Sequence, residues 1–392
     1  MASVASATLA GILRQFGPAY LATHALSVSK AKAWRAIVAC RTPVLGGHIE
    51  TCTDCGAMRH VYHSCRNRHC PLCQTRAKEV WLAQRRRELL PTPYFHLVFT
   101  LPHDLNGLIG SRPRLLYELL FSAVSATLNE FAANPRWLGG MPAFSLVLHT
   151  WKQDLGRHVH LHALMAGGAL SAEGGWISAK RGFLFPVQAL SRVFRGKFIA
   201  ALTAANANGK LPDEGNVTSV PWRTLLARLF AHNWVVYAKQ PLGGPAQVLD
   251  YLARYTHRVA ISNERIVGMD EHNIHFKVRD SANGNKKRRC TLPTATFIDR
   301  FLLHILPSGF KRIRHYGLLG PAGKAVKLAQ ARTALLAPEP DPVIVETVAD
   351  FLRRVERLNW TRCRCCQTGT CIPTGALRPT GKPEPLERGP PC

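Results

Sequence analysis

An α+β fold is predicted for this chain, with strands and helices mixed along its length, and three observations carry that prediction. First, residues 95–101, 145–149 and 158–165 are short apolar runs bounded by polar or glycine-containing links, the last of them stopping at Gly167-Gly168, as strands do. Second, apolar residues recur at helical spacing over 115–131, 187–204 and 224–232. Third, residues 274–280 and 287–292 flank Asn283-Gly284, the dipeptide of a tight β-hairpin. The strands at 145–149 and 158–165, separated by the polar link 152–157, are expected to pair antiparallel. A further strand is expected at 234–238 and a further helix from Pro245, a favourable first-turn residue.

Three segments follow from the composition along the 392 residues: a cysteine-rich segment 1–90, a mixed α+β segment 91–330, and a cysteine-containing tail 331–392 expected to be partly disordered. The tail is set off by Ala337-Pro338-Glu339-Pro340-Asp341-Pro342, a stiff extended break, and is rich in Pro and Gly from Thr374 onward. With 46% hydrophobic residues the chain has material for a true core. A count of 51 Lys and Arg against 24 Asp and Glu gives a formal net charge of +27, the footprint of a polyanionic partner. The charge comes in short clusters, Arg85-Arg86-Arg87, Lys286 to Arg289, and Lys311, Arg312 and Arg314, so nucleic acid fits better than a membrane surface. No run approaches the roughly eighteen apolar residues that span a bilayer, and a cytoplasmic location is expected.

Of the twelve cysteines, five lie between Cys52 and Cys73 and four between Cys363 and Cys371. In a chain this large such clustering points to metal rather than to a disulfide framework. Cys52-Thr53-Asp54-Cys55 and Cys70-Pro71-Leu72-Cys73 are two C-x2-C knuckles fourteen residues apart, the pattern that completes a tetrahedral zinc site. Cys52, Cys55, Cys70 and Cys73 are the favoured ligands, although Cys65, His60, His63 and His69 stand close enough in sequence to leave the set open. The late cysteines Cys363, Cys365, Cys366 and Cys371 are candidates for a second zinc site, although their spacing, C-x-C-C-x4-C, matches no standard knuckle.

The chemistry is expected at His158-Val159-His160-Leu161-His162. Alternate side chains of a strand share a face, so the three imidazoles line one side while Val159, Leu161 and Ala163 pack on the other. Neutral imidazoles can hold a divalent ion that leaves positions open for phosphate oxygens, with Gln153, Asp154 or His158 as near candidates for a third ligand. Tyr251-Leu252-Ala253-Arg254-Tyr255 places two phenols at i and i+4, on one face of a helix. A phenol has a reference pKa of about 10 and needs help to attack, which Arg254 and His257 are placed to give. Arg85, Arg86, Arg254, Arg258, Lys311, Arg312 and Arg314 are the candidate DNA contacts.

Taken together, Cys52 and Cys55, the stretch Ser64 to Gln74, Phe99-Thr100-Leu101-Pro102, His160-Leu161-His162, the pair Tyr251 and Tyr255, and the late stretches His304 to Pro307 and Phe310 to Gly317 resemble the transposases of rolling-circle insertion sequences of the IS91 type. Those proteins belong to the nucleases named for a histidine, bulky apolar residue, histidine triplet. The resemblance spans nearly everything from Cys52 to Leu319. It implies a ferredoxin-like or RNA-recognition-like antiparallel sheet carrying the histidines, with a small N-terminal zinc domain that assists DNA binding. His160 and His162 would hold Mg2+ or Mn2+, and Tyr251 and Tyr255 would form 5′-phosphotyrosine links to single-stranded element ends. Single-stranded and duplex DNA at element ends and target would be the partners, joined by host replication proteins on the bacterial nucleoid. Val159 stands where many members of that family carry proline, which leaves the flanking ligands intact. Two other functions fit parts of the same pattern: a rolling-circle replication initiator, and a zinc-stabilised DNA-binding protein without catalysis.

Overall fold

A computed structural model describes residues 7–180, 182–212, 220–242, 260–280, 286–340 and 361–381, with a few isolated positions besides. Tyr251, Tyr255, Arg254, Arg258 and His257, and the helix expected from Pro245, lie outside the described residues. The fold is α+β with antiparallel sheets, and the chain forms two compact units, one of residues 84–256 and 306–342, the other of residues 1–83, 257–305 and 343–392.

The first unit is built on a six-stranded sheet. β3 (Tyr94–Thr100), β4 (Met141–Trp151), β5 (Arg157–Leu170), β7 (Val236–Leu242) and β11 (Ile313–Gly317) run in the order β11-β4-β5-β3-β7, with β6 (Trp176–Ser178) pairing the far end of β5. Every pairing is antiparallel. One face is apolar by alternation: Phe95, Leu97 and Phe99 of β3, Leu146 and Leu148 of β4, and Val159, Leu161 and Ala163 of β5 all enter one core. Against it α6 (Pro113–Ala133) brings Leu116, Leu120, Val124, Leu128 and Phe131, and α7 (Val187–Ala207) brings Leu190, Phe194, Phe198 and Leu202. Both sets repeat every three or four residues, which is why these segments are amphipathic helices. α5 (Asn106–Ser111), α8 (Trp222–Ala231) and α10 (Lys324–Ala334) complete the unit.

Gly167-Gly168 does not end β5, as the sequence suggested; the strand runs on to Leu170. At Gly168 a Cβ would sit 2.6 Å from the indole of Trp176 on β6, so the glycine marks a close approach within the sheet and not a terminus.

In the other unit, α1 (Leu9–Gln15), α2 (Gly17–Thr23) and α3 (Val28–Ala39) precede β1 (Gly47–Cys52) and β2 (Met58–Tyr62); α4 (Gln74–Arg86) follows the cysteines, and its last residues, from Gln84, count with the first unit. β8 (Ile266–Met269), β9 (Asn273–Asp280) and β10 (Lys286–Pro293) form the expected hairpin enlarged by one strand, and α9 (Thr294–Leu302) packs Phe297 on Phe276 with ring centroids 5.7 Å apart. The C-terminal segment departs from expectation. Thr374 to Leu377, the start of the Pro- and Gly-rich stretch, belong to β12 (Cys371–Leu377), which pairs antiparallel with β1 from Gly47↔Leu377 to Cys52↔Cys371. Long-range backbone pairing overrides a Pro- and Gly-rich composition here. No helix among the described residues is long and apolar enough to cross a membrane.

Candidate functional site

On the sheet face opposite the apolar core, imidazoles converge. Register places His149 of β4 directly across from His160 of β5, and antiparallel partners share a face, so His149, His160 and His162 stand together. One ring nitrogen from each lies within 4.8 Å of the others. His160 Nε2 and His162 Nε2 are 3.1 Å apart. Two ligands at about 2.1 Å from one ion and at right angles would be about 3.0 Å apart, so the donor set fits a divalent cation of octahedral preference. His158, one of the expected near ligands, turns instead to His103, with His158 Nδ1 3.3 Å from His103 Nε2. Asp154 is not in the cluster; the third imidazole comes from the neighbouring strand.

The protein's own groups set the tautomers. His160 Nδ1 lies 2.9 Å from the His158 carbonyl, to which it donates, and this leaves the Nε2 lone pair facing the cluster. His162 Nδ1 is 2.8 Å from Nε2 of His96, a residue of β3 that is only 3% exposed, and with the proton on that His162 nitrogen the Nε2 lone pair again points to the cluster. His96 is therefore a second imidazole layer behind the ligand. Replacing His96 by alanine should weaken divalent-ion affinity about 10- to 100-fold, measured by titration calorimetry with Mn2+, while His96→Asn restores part of it.

Burial holds the His160 imidazole down to about 4, with the neighbouring His158 adding to the effect, and burial likewise lowers His315 to about 4, helped by Arg85. Both are neutral at physiological pH, the state in which imidazole binds metal. The unfolded chain takes up these protons near 6.5, before the folded one does, so stability falls as pH drops from about 6.5 towards 4 and levels off below that. Melting without added divalent ion should show a lower Tm at pH about 5 than at neutral pH, and His160→Asn should flatten the difference.

The cysteines form two clusters, not the single site expected from Cys52, Cys55, Cys70 and Cys73. Cys70 and Cys73 join Cys40 and Cys65; Cys52 and Cys55 join Cys363 and Cys366. In the first cluster the Cys73 Sγ lies 3.6 Å from the Sγ of both Cys40 and Cys65, and the Cys65 backbone N–H donates to Cys40 Sγ at 3.5 Å. Four thiolates bound at about 2.3 Å around a tetrahedral ion stand nearly this far apart, and the cluster keeps no open position, so it fits structural zinc. Cys40 was missed because it stands alone after α3, with no knuckle partner. Cys363 and Cys366 had a signal: together they are a C-x2-C knuckle, hidden by Cys365 between them. His149 and His96 carried a weaker one, a lone imidazole in an otherwise apolar strand.

The expected DNA contacts divide. Arg86 and Lys311 are exposed, whereas Arg312 is buried. Arg314 makes a bidentate pair with Glu118 at 2.6 and 2.8 Å and covers the Phe121 ring at 4.2 Å. Arg85 lies 3.1 Å from both Glu88 and His315. Arg314 thus commits its guanidinium to Glu118 and Phe121 within its own unit, which leaves little to offer a phosphate.

Comparison with known proteins places this architecture. Residues 143–326 match the family described as "Putative transposase", and residues 12–101 match the family described as "Transposase zinc-binding domain". The chain is 44% identical over 373 residues to "Putative transposase y4qJ" of Sinorhizobium fredii, covering 93% of this chain and 94% of that protein. It is 26% identical over 341 residues to "Transposase for insertion sequence element IS801" of Pseudomonas savastanoi pv. phaseolicola, covering 84% of this chain and 80% of that one. No solved structure matches the chain. The two family matches and the 44% identical relative make this chain a transposase. Within that class the chain belongs to the IS91-type insertion-sequence transposases, a membership that implies DNA binding and structural zinc.

Proposed function

We propose that this transposase cleaves and rejoins single-stranded ends of its own insertion sequence through 5′-phosphotyrosine intermediates, in rolling-circle transposition. The observation that carries this reading is the convergence of His149, His160 and His162 on one sheet face in a chain of this family. A bound Mg2+ or Mn2+ would supply Lewis-acid stabilisation to the charge that builds up on the scissile phosphate. His160 and His162, with His149, would hold it, and His96 would orient His162. Tyr251 and Tyr255 are the proposed nucleophiles, on the strength of the resemblance and their i, i+4 spacing. The phenolic oxygen attacks phosphorus, the P–O3′ bond breaks, and the departing 3′-oxygen takes a proton. The new phosphotyrosine conserves the ester, so a free 3′-hydroxyl can later attack the same phosphorus and regenerate the phenol without ATP. Incubating the protein with Mn2+ and a labelled single strand of the element terminus should give a covalent adduct on a denaturing gel, abolished by chelator. DNA that is bound but never cleaved would leave only the binding function.

A basic sheet face supports the DNA partner. In the β9–β10 register Lys287 faces Arg279 and Arg289 faces Lys277, and all four side chains are exposed on the side away from buried Ile274, Phe276 and Val278. Like charges directly opposite one another destabilise a sheet, so their retention fits a surface laid against phosphates. Neutralising Lys277, Arg279, Lys287 and Arg289 together should lower single-strand affinity and reduce the slope of log K against log salt by up to about 0.7 for each cation. An unchanged slope would remove this face from the DNA path.

A further inference from the structure

The second cysteine cluster joins opposite ends of the chain. Cys52 closes β1 and Cys55 follows in the turn, while Cys363 and Cys366 come from the segment that leads into β12. Cys52 Sγ is 3.6 Å from Cys366 Sγ and Cys55 Sγ is 3.7 Å from Cys363 Sγ, and all four sulfurs lie within 4.8 Å of one another. These separations are far beyond the roughly 2.05 Å of a disulfide and close to the roughly 3.8 Å between thiolates that share a tetrahedral zinc ion at about 2.3 Å.

The surrounding loop is shaped to the sulfurs. The Cys365 backbone N–H donates to Cys363 Sγ and the Gly369 backbone N–H to Cys366 Sγ, both at 3.3 Å, as in loops that stabilise thiolate charge. At Gly369 a Cβ would fall 2.4 Å from Cys52 Sγ, so only glycine lets the backbone pass so near. Thr53 N–H donates to the Thr370 carbonyl at 3.0 Å and Thr370 N–H to Thr53 Oγ1 at 3.1 Å, which ties the first knuckle to the residue before β12.

We propose that Cys52, Cys55, Cys363 and Cys366 hold a second structural zinc ion, which fastens the C-terminal segment to the N-terminal sheet. With four protein thiolates the site is closed, so it binds and folds but does not react. Its ligands come from both ends of the chain, and the N-terminal zinc-binding match alone, residues 12–101, contains only two of them. Cys371, buried and paired with Cys52 across β1 and β12, packs beside the cluster as a fifth thiol outside the ligand set. The proposal does not depend on the cleavage reading.

Metal content of the intact purified chain tests it, read by native mass spectrometry and elemental analysis. The wild type should hold two zinc ions per chain. Cys363→Ser with Cys366→Ser should hold one, Cys70→Ser with Cys73→Ser should hold one, and Cys371→Ser should keep two. A wild type with a single zinc, iron in place of the second zinc, a Cys363→Ser/Cys366→Ser variant that keeps both, or loss of one ion in Cys371→Ser would overturn the assignment. If the serine variants precipitate, the wild type still decides. Alkylation of Cys363 and Cys366, mapped by peptide mass, should speed up at least tenfold when a chelator is added; equal rates with and without chelator would refute the site.

Discussion

Replacing His160 and His162 together by alanine should lower divalent-dependent cleavage of single-stranded DNA by about a thousandfold or more. The expectation rests on the several kcal/mol by which a bound divalent ion stabilises developing phosphate charge, since each factor of ten in rate corresponds to about 1.4 kcal/mol. His149→Ala alone should cost less, because two ligands remain on β5, and it should raise the Mn2+ concentration needed for half-maximal rate. Both imidazoles of the pair are buried, 9% and 8% exposed, so the double variant must also be checked for zinc content and melting temperature. A variant that keeps its zinc and its fold yet cleaves at the wild-type rate would detach the histidine cluster from the chemistry.

The second large effect is expected at the tyrosines. Tyr251→Phe with Tyr255→Phe should abolish the covalent DNA adduct altogether, because phenylalanine keeps the ring and removes the only attacking atom. Each single variant should still form an adduct but fail to complete a cycle that requires two sequential cuts. The readout is the adduct band together with free 3′-hydroxyl ends, titrated by primer extension. DNA affinity should change little in the double variant, which separates loss of the nucleophile from loss of binding. An adduct of undiminished yield in the double phenylalanine variant would show that another residue attacks.

Much of the fold was legible in the sequence because local pattern and tertiary environment agree there. The alternation in 158–163 correctly sends Val159, Leu161 and Ala163 to the core and the imidazoles to the other face, and the apolar spacing of 115–131 and 187–204 lies within α6 and α7. β9 and β10, the two strands predicted around Asn283-Gly284, do pair antiparallel. Where the reading failed, the missing information was non-local. Gly167-Gly168 looks like punctuation unless Trp176 is known to cross above it. Arg314 looks like a DNA contact unless Glu118, far away in sequence, is known to be beside it. Thr374 to Leu377 look like tail unless β1 is known to present an edge for them.

The sequence by itself determined the family, the α+β class, the zinc-binding character of the cysteines and the alternation that puts His160 and His162 on one face of β5, because those depend on residue types at fixed short spacing. Only the tertiary structure decided which donors gather: that His149 faces His160 across a strand pair, and that four knuckle cysteines expected at one site fall into two clusters, completed by Cys40 and Cys65 and by Cys363 and Cys366. The physical reason is that ligands meet within a few ångströms in space, whereas spacing along the chain constrains only those on the same turn or strand.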